Sequence, residues 1–169
     1  MAGPERHGYL AQPADTTARG GVLVLPTIFG INEFARGYAD ALANAGLAAV
    51  VWDINSGLPL STDYQECIRR ARTLTDTGVA GMLNSWLGFM QDELKLGAVG
   101  TAGFCIGGRF AFLLAAKDKR IRACAAAYPS IESPRLANQE LDAVALAAEI
   151  ECPVQMLQPG KDHVSSVET

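Results

Sequence analysis

A cysteine stands between two glycines in the segment Gly103-Phe104-Cys105-Ile106-Gly107. This spacing matches the G-x-S-x-G nucleophile elbow, with sulfur in place of the serine oxygen. A thiolate held on such a turn can attack the carbonyl carbon of an acyl group. The context also fits the motif, because the apolar run 98–103 predicts a strand and the residues up to Lys117 predict a helix. Cys105 is therefore the first candidate for nucleophilic chemistry.

Each position of this turn has a physical role. Side chains at 103 and 107 would collide across the tight bend, so both positions need glycine. The dipole of the following helix favours a thiolate at Cys105. The backbone N–H of Ile106 points toward the oxyanion that forms during attack. The alternative interpretation is a buried structural cysteine beside glycines that pack a helix against a sheet.

Apolar strands alternate with helices along the whole chain. Apolar runs predict strands buried on both faces at 21–25 and 47–53. Further strands are predicted at 98–103, 122–128 and 153–157, with a short edge strand at 9–11. Helices are predicted from an Asn32 cap to about residue 44, and at 62–74, 81–94, 105–117 and 141–148. This alternation predicts a mostly parallel sheet with helices on both faces. Its functional loops should follow the strands, at 26–30, 53–58, 103–107, 128–130 and 159–163.

Composition limits the classes of partner. The chain has 169 residues, which suits a single domain spanning 1–169, and its net charge of −4 argues against nucleic acid or an anionic membrane. Four scattered cysteines and two histidines predict neither a metal site nor a disulfide framework, and we expect no cofactor. The polar N-terminus lacks the apolar core of a signal peptide and no apolar run could span a bilayer, so a cytoplasmic location is expected.

Three segments resemble the dienelactone hydrolase (carboxymethylenebutenolidase) family: 27–34, with Ile-Phe-Gly-Ile-Asn, 103–111, with the cysteine elbow, and 160–163, Gly-Lys-Asp-His. The resemblance implies an α/β-hydrolase-like three-layer sandwich. It also implies a Cys-His-Asp triad that hydrolyses a small ester or lactone. Cys105 would be the nucleophile and Asp162 the acid that orients the histidine. The N–H groups of Ile28 and Ile106 would hold the oxyanion.

The sequence departs from the family pattern at three places. The family histidine lies well beyond the aspartate, whereas this chain ends seven residues after Asp162, and the adjacent His163 is not the family base. The family places a thiol-contacting glutamate where this chain has Thr27, and Arg109, which follows the elbow, is expected to be solvated or ion-paired. We therefore expect a fragment that is truncated at the C-terminus, with weak or no turnover.

Two further expectations follow from the missing segment. Apolar surface on the last strand should be uncovered, which would permit self-association through that sheet edge. A non-catalytic binding module that keeps the cavity above Cys105 is the main alternative function. A flavodoxin-like or nucleotide-binding domain is disfavoured, because the loop 26–30 lacks the glycine pattern that cradles phosphate.

Overall fold

The computed structural model describes residues 7–161, which form one six-stranded sheet. The strands are β1 (Gly8–Ala11), β2 (Gly21–Leu25), β3 (Ala48–Trp52), β4 (Val99–Phe104), β5 (Ile121–Ala127) and β6 (Val154–Leu157). They lie in the order β1-β3-β2-β4-β5-β6. The β1 strand pairs antiparallel with β3, and every other neighbouring pair is parallel. The predicted mostly parallel α/β sheet is confirmed.

Five helices connect these strands: α1 (Glu33–Asn44), α2 (Tyr64–Ala71), α3 (Asp76–Gly88), α4 (Ile106–Lys117) and α5 (Ala143–Leu146). A π-helical turn, Phe89–Glu93, extends α3, and a 3₁₀ turn, Ala147–Glu149, follows α5. The predicted cap of α1 is confirmed, because Asn32 Oδ1 accepts from the N–H of Ala35 at 3.0 Å.

The predicted beginning of the third helix, at residue 81, is wrong. The α3 helix begins at Asp76, because the Thr75 side chain accepts from the N–H of Gly78 and caps the helix there. The two intervening glycines, Gly78 and Gly81, lower the intrinsic helix propensity of this turn. Capping by Thr75 and tertiary contacts of Asp76 outweigh that cost.

Helices cover both faces of the sheet around β2 and β3. Leu23 and Leu25 of β2 pack into the larger core cluster, which includes residues of α3 and α4. Val24, which points to the opposite face, packs into a second cluster with the alanines of α1. The prediction that β2 is buried on both faces is therefore confirmed.

Strand β6 is not covered in this way by the elements of residues 7–161. Val154, Met156 and Leu157 in β6 expose 42%, 48% and 58% of their surface. This confirms the expectation that apolar surface remains exposed at this edge of the sheet. No helix between residues 7 and 161 is both long and apolar enough to cross a bilayer.

Candidate active site

The elbow predicted from the sequence is present between β4 and α4. Cys105 lies at the junction with φ +57° and ψ −121°, a strained conformation for a residue with a side chain. A Cβ on Gly103 would lie 2.1 Å from the Gly107 carbonyl oxygen. A Cβ on Gly107 would lie 2.1 Å from the Leu25 carbonyl oxygen. Both positions therefore exclude any side chain, and the motif follows from this close approach of backbone segments.

Hydrogen bonds to the end of β5 and to the loop that follows it hold the elbow. The N–H of Cys105 donates to the Ala127 carbonyl at 3.1 Å, and the Cys105 carbonyl accepts from the N–H of Ser130 at 3.1 Å. The Cys105 Sγ lies 3.4 Å from the Ser130 Oγ. Both backbone groups of the cysteine and its sulfur are thus in contact with neighbouring segments, so the position of the thiol is well defined.

The thiol faces a cavity of about 470 Å³. Cys105 is partly exposed and lines this cavity, so the alternative of a fully buried structural cysteine does not describe it. The walls are largely apolar, and their residues include Ile28, Phe29, Ile68, Leu74, Ile106, Phe110 and Leu136. A cavity of this size accommodates a small organic molecule next to the sulfur.

The two residues expected to supply oxyanion donors also line this cavity. Ile28 lies in the loop after β2, and Ile106 is the first residue of α4. Among the hydrogen bonds within residues 7–161, none is donated by the backbone N–H of Ile28 or of Ile106. Both N–H groups therefore remain the candidate oxyanion donors. Asp162 and His163 lie outside the described residues.

Thr27, where the resemblance implies that the family has a glutamate, lies in the loop after β2. Its Oγ1 accepts a hydrogen bond from the N–H of Phe29 at 3.3 Å, within the loop that follows β2. A threonine hydroxyl cannot take a proton at neutral pH, so this residue does not replace the glutamate as a base. Position 27 therefore offers no acidic side chain to the cavity.

Arg109 was expected to be either solvated or ion-paired, and the structure shows that it is ion-paired and buried. Its Nη2 lies 2.7 Å from Asp76 Oδ2, its Nε lies 3.2 Å from Oδ1, and both side chains are 1% exposed. Asp76 Oδ2 also accepts from the N–H of Leu141 at 2.8 Å. This buried pair connects α3, α4 and the segment before α5 beneath the cavity that both residues line.

Tyr128 forms another part of the cavity wall. It has φ +40°, and its N–H donates to the Leu157 carbonyl at 2.7 Å. Burial raises the pKa of the Tyr128 phenol above its ordinary value, and the negative charge of a Cys105 thiolate nearby adds to that rise in pKa. Tyr128 is therefore a neutral hydroxyl group at physiological pH.

Two of the other cysteines, Cys67 and Cys124, are buried, as expected of structural cysteines, whereas Cys152 is partly exposed. Cys67 in α2 is buried, and its Sγ donates to the Ser61 carbonyl at 3.4 Å. Cys124 is buried in β5, and desolvation raises the pKa of its thiol to about 12. Residues 7–161 contain no group of three or more His, Cys, Asp or Glu side chains arranged to hold a metal ion.

The model of the dienelactone hydrolase family matches residues 7–169. The chain belongs to the dienelactone hydrolase family. One relative, a Bradyrhizobium protein named "Probable 2-oxo-3-(5-oxofuran-2-ylidene)propanoate lactonase", is 30% identical over 165 residues, which cover 95% of this chain and 66% of that protein. A carboxymethylenebutenolidase from Rhodococcus opacus is 31% identical over 110 residues, 64% of this chain and 43% of its own length.

Solved structures share this fold. A "Putative Dienelactone Hydrolase" from Klebsiella pneumoniae superposes with a TM-score of 0.80 at 24% identity, covering 95% of this chain and 70% of that one. A cold-adapted esterase from an Arctic intertidal metagenomic library gives 0.77 at 22% identity, with 95% and 69% covered. The chain therefore has the α/β-hydrolase fold of this family. It spans 66% and 43% of the length of the Bradyrhizobium and Rhodococcus opacus relatives, and 70% and 69% of these two solved chains.

Two features of the site could not be named from the sequence. The segment 128–130 is predicted to lie at the carboxyl edge of the sheet, but no motif indicates that Ser130 contacts the sulfur. Asp76 is 33 residues from Arg109, and nothing local to either residue predicts their pairing. A helix that begins with an aspartate is usually explained by the helix dipole alone.

Proposed function

We propose that this chain carries the nucleophilic part of a thiol hydrolase that acts on small esters or lactones. The observation that supports this most strongly is Cys105 at the strained elbow, with its thiol facing an apolar cavity. A lone buried thiol would need neither the positive φ nor the two excluded side chains at 103 and 107. The family relationship supports the same class of reaction.

The acylation step uses groups that surround the cavity. The Cys105 thiolate adds to the substrate carbonyl carbon, and the carbonyl electron pair moves onto oxygen. The N–H groups of Ile28 and Ile106 stabilise that oxyanion. When the carbonyl re-forms, the C–O bond breaks and a thioester remains on Cys105. An ester releases its alkoxide or phenolate, whereas an opened lactone keeps the alkoxide on the acyl chain, and the alkoxide takes a proton from water.

Deacylation is the slow step of the proposed reaction. Water must attack the thioester, and this attack needs a base of the kind that the family histidine provides, oriented by Asp162. Within residues 7–161 the one histidine is His7, an exposed residue in the segment that leads into β1. We therefore propose fast acylation followed by slow release of the acid, and a correspondingly low turnover.

A burst experiment with p-nitrophenyl acetate tests this proposal. The wild-type chain should release about one p-nitrophenolate per molecule rapidly and then continue slowly, because the thioester accumulates. Cys105→Ala should abolish the burst. Cys152→Ala is the matched control, since it removes another partly buried thiol away from the cavity, and it should retain the burst. Absence of a burst from a folded wild-type chain would contradict the proposal.

A non-catalytic binding module is the second candidate. It is favoured by Thr27, whose hydroxyl is engaged with the backbone of its own loop and supplies no base beside the thiol. In that case a lactone such as γ-butyrolactone would bind equally well to the wild-type chain and to Cys105→Ala, and neither would be acylated. Calorimetric titration of both proteins with γ-butyrolactone, together with the burst measurement, distinguishes the two functions.

A further inference from the structure

We propose that Ser130 is the positioning residue for the nucleophile: its hydroxyl holds the sulfur of Cys105 and stabilises the thiolate. This inference depends on the proposed function, because it assigns a role toward the reacting thiol. It concerns a residue that the family motif segments at 27–34, 103–111 and 160–163 do not include.

Three hydrogen bonds define the contact between Ser130 and Cys105 and hold the two residues in place. Ser130 Oγ lies 3.4 Å from Cys105 Sγ, within hydrogen-bonding distance for sulfur. The Ser130 N–H donates to the Cys105 carbonyl at 3.1 Å, so the backbones of the two residues are joined as well. The Cys105 N–H is in turn held by Ala127, which ends β5. The hydroxyl therefore approaches the sulfur from a segment that is fixed relative to the elbow.

The loop that carries Ser130 is itself supported. The Gln139 side chain is 8% exposed, and its Nε2 donates to Glu132 Oε2 at 2.9 Å and to the Ser130 carbonyl at 3.5 Å. The Ile131 N–H donates to the Pro129 carbonyl at 2.9 Å. These bonds restrict the rotation of the loop, so that the position of the Ser130 hydroxyl does not depend on the sulfur alone.

A hydroxyl suits this position chemically. It can accept a hydrogen bond from the neutral thiol and donate one to the thiolate, because it carries one donor and two acceptor sites. The bond to the charged form is the stronger of the two. Within residues 7–161, Ser130 is the side chain that hydrogen-bonds the Cys105 sulfur, while the hydroxyl of Thr27 is directed to the N–H of Phe29.

Other groups around the cavity bear on the charge of the sulfur. The ionisable and charged side chains that line the same cavity are Tyr64, Arg72, Asp76, Arg109, Tyr128 and Glu132. Arg109 is neutralised by its buried pairing with Asp76. Tyr128 stays protonated, and Glu132 is bonded to Gln139. None of these side chains is hydrogen-bonded to the sulfur among the described residues, which leaves that role to Ser130.

The test is the pH profile of iodoacetamide alkylation at Cys105, followed by mass spectrometry of the peptides. In Ser130→Ala, the midpoint of the profile should rise by about one pH unit, and alkylation at neutral pH should slow about tenfold, since a hydrogen bond to a charged group is lost. The control Ser85→Ala removes a partly buried hydroxyl on α3, away from the cavity, and should leave the profile unchanged.

A second pair of variants separates the effect of the Ser130 hydroxyl group from the effect of side-chain size. Ser130→Thr and Ser130→Val have nearly the same shape and differ in the hydroxyl group. The threonine variant should keep the wild-type midpoint, and the valine variant should behave like alanine. Equal midpoints in Thr and Val variants of the same thermal stability would overturn the inference.

The outcomes also separate this inference from the proposed function. If Cys105 in the wild-type chain reacts no faster than Cys152, then the thiol is not poised and both proposals are wrong. If Cys105 reacts fast and is acylated but Ser130→Ala leaves its pH profile unchanged, the proposal that Cys105 is the nucleophile is retained and the role of Ser130 is refuted.

Discussion

Removal of the Asp76 carboxylate should destabilise the domain more than any surface substitution. In Asp76→Ala, the Arg109 guanidinium remains buried at 1% exposure without its counter-charge. The variant loses the bonds at 2.7 Å and 3.2 Å to that guanidinium and the bond at 2.8 Å from the Leu141 N–H. Most of the loss in the free energy of unfolding comes from leaving a buried charge unpaired, and not from the lost attraction alone.

The magnitude follows from the burial of both partners. Breaking a buried ion pair by removing one partner costs about 3–5 kcal/mol. The free energy of unfolding of a domain is roughly 5–15 kcal/mol, so this loss is a large fraction of the total. For a domain of this size, each kcal/mol corresponds to about 2–4 °C in Tm. We therefore expect the Tm of Asp76→Ala to fall by roughly 10 °C.

Urea unfolding followed by circular dichroism measures this change. The matched control is Glu149→Ala, which breaks the exposed pair with Lys117, where the side chains are 51% and 47% exposed, and should cost less than about 1 kcal/mol. Asp76→Leu combined with Arg109→Met should recover most of the lost stability, because no charge is then left buried. A loss of less than about 1 kcal/mol in Asp76→Ala would refute the reasoning.

Three further predictions concern the elbow, the first helix and the sheet edge. In a urea titration, Gly107→Ala should lower the free energy of unfolding by about 3 kcal/mol or more, because its Cβ would lie 2.1 Å from the Leu25 carbonyl oxygen. The control Gly97→Ala should leave the free energy of unfolding nearly unchanged, because the space around Gly97 is open. Asn32→Ala should cost about 1 kcal/mol in the same assay, since it removes the cap of α1, and a cost near zero would contradict that role. If the uncovered edge at β6 mediates self-association, Met156→Lys should lower the mass measured by light scattering at high concentration, whereas a monomeric wild type would contradict this proposal.

The layered sheet could be predicted from the sequence because each buried strand is a short apolar run between turn residues. The run at 21–25 faces helices on both sides, and this burial removes the polar alternation that an exposed strand would show. The elbow could be predicted for a similar reason. Glycine is required at 103 and 107 because a Cβ there would lie 2.1 Å from a backbone carbonyl oxygen, so the residue types alone indicate the geometry.

The features that could not be predicted depend on residues distant in sequence. Asp76 and Arg109 pair across two helices, and this pairing is the reason that a residue expected to be solvated or ion-paired is fully buried. Ser130 meets Cys105 because β4 and β5 are parallel neighbours whose carboxyl ends lie together. The pattern of a single strand contains no information about which side chain of the next loop will reach the sulfur.

The central claim is that Cys105 is the nucleophile, and mapping the acyl group tests it most directly. After brief exposure of the chain to p-nitrophenyl acetate, acidification and proteolysis, mass spectrometry should find the acetyl group on Cys105. Cys124 provides an internal reference, because burial raises the pKa of its thiol to about 12 and keeps it neutral and unreactive through physiological pH. An acetyl group spread over Cys67, Cys152 and lysines, with Cys105 unmodified in the folded chain, would contradict the account.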